Sequence, residues 1–112
     1  MVATIHTIAF EGVRAVDIEV QVQLAPGLPA FTIVGLPDKA VNESRDRVRS
    51  AIQAMGLSLP ARKIIINLAP ADIVKEGSHF DLPIALALLV DMGVIPQDDT
   101  DNELALGALS LA

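Results

Sequence analysis

From Val16 to Leu24 the chain reads V-D-I-E-V-Q-V-Q-L, five aliphatic residues at strict period two with Asp17, Glu19, Gln21 and Gln23 between them. Successive side chains of a strand point to opposite faces, so this pattern predicts a strand with one buried face and one wet face. Such a strand needs neighbours in a sheet and a second layer over its apolar side. Thr4 to Phe10 alternates more weakly through Ile5, Ile8 and Phe10, and Glu11-Gly12 marks a turn. The two runs read as an antiparallel hairpin.

The rest of the chain supplies the second layer. Ala25 to Ala30 (A-P-G-L-P-A) is a loop, because its prolines and glycine break a ladder. Phe31 to Val34 reads as a short buried strand. Asp38 is a good N-cap for an amphipathic helix carrying Val41, Ser44, Val48, Ala51, Ile52 and Met55 on one face, with Gly56 as its stop. Asn42, Arg45, Arg49 and Gln53 fall on the outer face, and Glu43 and Arg47 stand at the i,i+4 spacing of an ion pair. Lys63 to Leu68 (K-I-I-I-N-L) reads as a strand covered on both faces. A long loop, Ala69 to Phe80, leads to an apolar helix over Leu82 to Met92; Pro83 places its start near Asp81, and Ser78 or Asp81 is the candidate cap. Gly93 stops this helix, Val94 to Glu103 is an acidic loop, and Leu104 to Leu111 begins another strand inside which the chain ends abruptly, as expected of a fragment of a longer protein. The order β-β-β-α-β-α-β predicts an α+β two-layer sandwich, a mixed sheet with helices on one face.

Composition removes several function classes. The absence of cysteine excludes a disulfide scaffold, a thiol nucleophile and cysteine-ligated metal. His6 reads as an ordinary strand residue. The phosphate-binding loop G-x-x-x-x-G-K-[ST] and the dinucleotide pattern G-x-G-x-x-G are both missing. Asp98, Asp99 and Asp101 lack the glycine and distal glutamate of a calcium loop. Asp17 and Glu19 read as a solvated strand face. The longest uncharged apolar run, Leu82 to Val90, is about half of what a bilayer needs, and the start lacks a basic signal-peptide region. We therefore expect a cytoplasmic protein without a membrane partner.

Charge is uneven. The net charge is −6, yet six of the eight basic residues lie between Lys39 and Lys63, while Asp91 to Glu103 has no base. Arg45, Arg49, Arg62 and Lys63 are candidate DNA contacts; the competing reading is a solvated helix face. The other dense constellation is Lys75-Glu76-Gly77-Ser78-His79-Phe80-Asp81, before a buried helix. A serine or histidine there sits where a helix N-terminus favours developing negative charge.

Three segments carry a family resemblance: Val34 to Arg49 (V-G-L-P-D-K-A-V-N-E-S-R-D-R-V-R), Asn67 to Leu86 (N-L-A-P-A-D-I-V-K-E-G-S-H-F-D-L-P-I-A-L) and Leu106 to Leu111 (L-G-A-L-S-L). In this order they closely resemble the N-terminal domain of the magnesium-chelatase-like AAA+ ATPases, the ComM (YifB) family of bacteria. The resemblance spans almost the whole chain. It implies a ribosomal protein S5 domain 2-like fold, related to the Lon protease domain. It makes residues 1–112 an N-terminal fragment of a longer protein whose last strand and ATPase module lie beyond Ala112. ATP and magnesium would belong to that module, with no cofactor or metal in this fragment. The implied function is that of a noncatalytic accessory domain in a hexameric motor that acts on DNA, in recombination and branch migration during natural transformation. Its partners would be its own AAA+ module, further copies of itself and DNA. The alternative is a Lon-like ATP-dependent serine peptidase. Lys75-Glu76-Gly77 match the Lys-Asp-Gly of the Lon motif, but the serine position then falls on His79, and Ser78 sits one place early. No lysine follows Lys75, so this stretch lacks the base of a Ser–Lys dyad. We therefore expect no catalytic residue here, and a vestigial loop or subunit contact at Lys75, Glu76, Gly77, Ser78 and His79. His79, where the family would have a small residue, and Val74, where it more often has proline, are departures in that loop. A third, competing reading is a pure interaction module that docks neighbouring subunits through the apolar loop Ala25 to Ala30.

Overall fold

A computed structural model describes residues 3–77, 79–97 and 105. The predicted hairpin is present: β1 (Ala3–Glu11) pairs antiparallel with β2 (Arg14–Ala25), from Ala3↔Val22 to Glu11↔Arg14. β3 (Ala30–Val34) and β4 (Lys63–Ala69) complete a four-stranded sheet in the order β1-β2-β4-β3. β4 is antiparallel to β2 and parallel to β3, so the sheet is mixed. The crossover from β3 to β4 carries α1 (Lys39–Asn42) and α2 (Ser44–Ala54); α3 (Asp81–Asp91) follows β4. α3 packs on β1 and β2, and α2 packs on β3 and on α3, giving the two-layer α+β arrangement.

The period-two pattern decides which face is covered. Ile5, Ile18, Val20, Val22, Phe31, Ile33, Ile64, Ile66 and Leu68 are buried on one side of the sheet. Val20 stands opposite both Ile5 and Leu68, and Ile66 opposite both Val22 and Ile33, so the apolar rows are in register across all four strands. Each such side chain contributes roughly 1.5–3 kcal/mol by burial. Val41, Val48, Ile52, Ile84 and Leu88 close the core from the helical layer.

Four expectations change. β4 is not covered on both faces: it alternates, and Ile65 and Asn67 lie half-buried on the open side. There Asn67 donates to Gln21 (3.1 Å) and Gln21 donates to Glu19 (3.0 Å), a polar row that suits an open face. β3 likewise alternates between exposed and buried residues. The helix after Asp38 is divided at Glu43, and Met55, expected on the inner face, is exposed. Asp38 does cap it, accepting from the Val41 amide at 2.8 Å. The last strand and the acidic loop lie largely outside the described residues.

Gly35 makes the exit from β3 feasible. Its φ is +105°, and a Cβ there would stand 2.2 Å from the Leu68 carbonyl oxygen in β4. Gly35→Ala is therefore expected to destabilise the fold by about 3 kcal/mol or more, since backbone strain and a backbone clash combine. Urea unfolding followed by circular dichroism checks this; an unchanged midpoint would contradict the close approach.

Candidate functional site

The segment from Pro70 to Asp81 links β4 to α3 and carries the densest set of chemically capable residues. Lys75 fixes it to the end of β3. The Lys75 amide donates to the Leu36 carbonyl (3.0 Å), and its carbonyl accepts from the Asp38 amide (2.9 Å). The side chain is fully buried, and its Nζ donates to the Pro70 carbonyl. Burial lowers the Lys75 pKa from the ordinary lysine value, and the nearby Asp72 carboxylate opposes that only in part. The Gly77 amide is 3.4 Å from Asp38 Oδ2. Ser78 lies outside the described residues.

His79 has a structural partner that the sequence did not reveal. Its Nε2 is 2.9 Å from the Ile8 carbonyl oxygen. A carbonyl only accepts, so Nε2 carries the proton in this contact. Gln97 brackets Thr4, accepting from its amide (3.1 Å) and donating to its carbonyl (2.9 Å), and the Ala105 amide donates to the His6 carbonyl (3.0 Å). Together these groups occupy the outward carbonyls of Thr4, His6 and Ile8 on β1, the sheet edge. Open edges invite pairing with other chains, and this one is covered.

Asp81 does not cap α3. The residue before that helix, Phe80, makes no side-chain cap, and the buried Asp81 carboxylate turns instead toward α2. Arg47 Nε donates to Asp81 Oδ2 at 2.5 Å and Nη2 to Oδ1 at 3.0 Å, while the Ser44 hydroxyl donates to Oδ1. Arg47 also donates to the Ala40 carbonyl (2.9 Å). The expected Glu43 partner stands at 3.9 Å, so the i,i+4 pair is the minor contact. The Asp81 hydrogen bonds, ahead of any other influence, hold the Arg47 pKa above its ordinary value despite desolvation.

The other candidate residues gather at the opposite end of the sheet. Arg49 Cζ lies 5.9 Å from the centre of the Phe31 ring, and Arg45 Nη1 approaches the Phe31 carbonyl at 3.5 Å. Arg49 and Arg62 line one small cavity of about 170 Å³ with Phe31 and Leu59. Lys63 is exposed, but it precedes the buried Ile64 in β4 and so belongs to the opposite face. Arg49 stands 3.8 Å from Asp46, whereas Arg45 and Arg62 have no ion pair among the described residues.

Comparison with known proteins shows the family of this chain. Residues 20–112 match the family described as subunit ChlI of Mg-chelatase. The chain belongs to this family. It is 50% identical over 107 residues to the protein YifB of Escherichia coli (strain K12), covering 96% of this chain and 21% of that protein. It is 45% identical over 109 residues to the competence protein ComM of Haemophilus influenzae, covering 93% of this chain and 21% of ComM. A Mycobacterium tuberculosis protein, Rv2897c, is 39% identical over 105 residues, covering 94% and 21%. The chain thus spans about a fifth of the length of these relatives. Among the described residues, no helix is long and apolar enough to cross a membrane.

The buried lysine gives a pH test. A lysine whose pKa is lowered on folding binds protons less readily in the folded than in the unfolded chain. Its burial penalty is largest below the folded pKa and fades as pH rises toward the ordinary lysine range. The stability of the wild type relative to Lys75→Met is therefore expected to increase between neutral pH and about pH 10, the approach to that range. Urea midpoints of both proteins at the two pH values measure it; a difference that stays constant or falls would contradict the assignment.

Proposed function

We propose that this chain is a noncatalytic N-terminal accessory domain of a magnesium-chelatase-like AAA+ ATPase that acts on DNA. Its place is in recombination and branch migration during natural transformation, in the cytoplasm. The domain supports assembly of a hexameric ring and contributes contacts to DNA. ATP and magnesium belong to the ATPase module of the longer protein.

The observation that carries this reading is the likeness to competence protein ComM over nearly the whole chain, at about a fifth of that protein's length. The DNA half draws on the convergence of Arg45, Arg49 and Arg62 about Phe31. Guanidinium groups on one face attract phosphates whatever the net charge of the rest. Weighing against a Lon-like peptidase, the Lys75 ammonium is held by the Pro70 carbonyl and His79 by the Ile8 carbonyl. Neither is then free to activate a hydroxyl.

Fluorescence anisotropy with labelled single-stranded, duplex and four-way-junction DNA across a salt series tests the DNA contact. Binding is expected to weaken with salt. The double substitution Arg45→Glu/Arg49→Glu should lower affinity and make the log–log salt slope shallower by roughly one per arginine. Absence of binding at low salt, or an unchanged slope, would remove DNA contact from the domain's function.

A further inference from the structure

The strand directions give the domain two unlike poles. β1, β3 and β4 run the same way, since β1 and β4 are each antiparallel to β2 and β3 is parallel to β4. Their C-terminal ends bring Phe10, Glu11, Asp38 and the segment after Ala69 to one pole. The N-terminal ends of β3 and β4 form the other.

At the first pole lies a groove. Two adjoining cavities of about 460 and 400 Å³ share Phe10, Val74 and Glu76 in their walls. Phe10 and Val74 are large apolar residues left 65% and 53% exposed. The acidic side chains of the walls are Glu11, Asp38, Asp72 and Glu76, of which Asp38 also caps α1; His79 lines them too, and no lysine or arginine does so among the described residues. The groove is thus apolar at its centre and acidic around it.

The second pole carries the complement. Ala25 and Ala30 both stand opposite Lys63, so the loop between them arches over the start of β4. Leu28, within that arch, is 87% exposed. Arg62 and Lys63 lie beneath it, both exposed, and the Arg62 carbonyl accepts from the Ala30 amide. An apolar knob flanked by two cations faces one way, and an apolar slot flanked by four carboxylates faces the other.

We propose that the acidic groove of one copy receives the Leu28 loop of the next, joining the domains head to tail. Leu28 enters between Phe10 and Val74, and Arg62 and Lys63 meet the carboxylates at the rim. Surfaces that differ make a heterologous contact, which closes into a ring when its rotation allows. Charge complementarity gives the contact its register and suppresses head-to-head pairing. Arg62, counted above with the guanidinium face about Phe31, is committed to this pairing, which leaves Arg45 and Arg49 to DNA. The inference rests on the assembly half of the proposed function and names the surfaces that perform it.

The chain has no cysteine, which makes disulfide trapping unambiguous. Leu28→Cys and Val74→Cys change exposed side chains and leave the core untouched. Under mild oxidation at rising protein concentration, the double variant is expected to give a ladder of dimers, trimers and larger species. A mixture of the two single variants should stop at dimers, and each single variant alone should stay mostly monomeric. Adding Glu76→Lys to Val74→Cys should reduce the mixed dimer roughly tenfold or more, through like-charge repulsion. Single variants that cross-link with themselves as strongly as with each other would overturn the proposal. Absence of a ladder at concentrations where sedimentation shows assembly would overturn this pairing and leave the assembly reading standing. A chain that sediments as a monomer throughout would overturn both.

Discussion

The hydrogen-bonded pair between Arg47 and Asp81, with the Ser44 hydroxyl as third member, fixes the relation between the two halves of the helical layer. α2 belongs to the crossover from β3 to β4, while α3 lies over the hairpin. Apolar packing alone would leave these helices free to slide, since Val48, Ile52, Ile84 and Leu88 offer no direction. A bidentate guanidinium–carboxylate contact is directional. Burying the Asp81 carboxylate and partly burying Arg47 is costly, and the geometry offsets that cost because Asp81 accepts from Ser44 and twice from Arg47, and Arg47 is also held by the Ala40 carbonyl. Asp81 opens α3, so the pair also sets where the loop after β4 must end. That position, with the anchor of Lys75 against Leu36 and Asp38, shapes one wall of the acidic groove.

The chemically capable side chains lie at the ends of the sheet, where strands stop and loops take over. The middle is an ordinary apolar core with a polar row on its open face. In the loop after β4, Lys75 is a buried tie between two chain segments, and His79 covers part of the edge of β1. Groups that could support catalysis in another setting are engaged here with backbone carbonyls.

The strands and their buried face were legible because alternation is a local signal. Val16 to Leu24 gives the core residues of β2 outright, and the turn at Gly12 gives its partner. The helix face through Val41, Ser44, Val48 and Ile52 was equally plain, including the polar Ser44. Long-range contacts were not. Arg47 sits four residues after Glu43, so the sequence suggested a surface pair; its main partner is 34 residues away. Asp81 at the first turn of a helix suggested a cap, and nothing local shows that α2 claims it. Ile64-Ile65-Ile66 suggested a strand covered twice, because composition cannot distinguish a β-branched residue on an open face from one in a core. Placement of Arg45, Arg49 and Arg62 around Phe31 depends on the crossover, which no spacing records.

A double-mutant cycle on the buried pair tests most directly whether it organises the fold. Arg47→Met leaves the buried Asp81 carboxylate without its partner and is expected to cost about 3–5 kcal/mol by urea unfolding, while Asp81→Leu, which leaves the partly exposed Arg47, should cost less. The combined variant should recover most of that loss, because no unpaired charge remains. Two single losses that simply add in the double variant would contradict the account, since the residues would then be acting independently of each other.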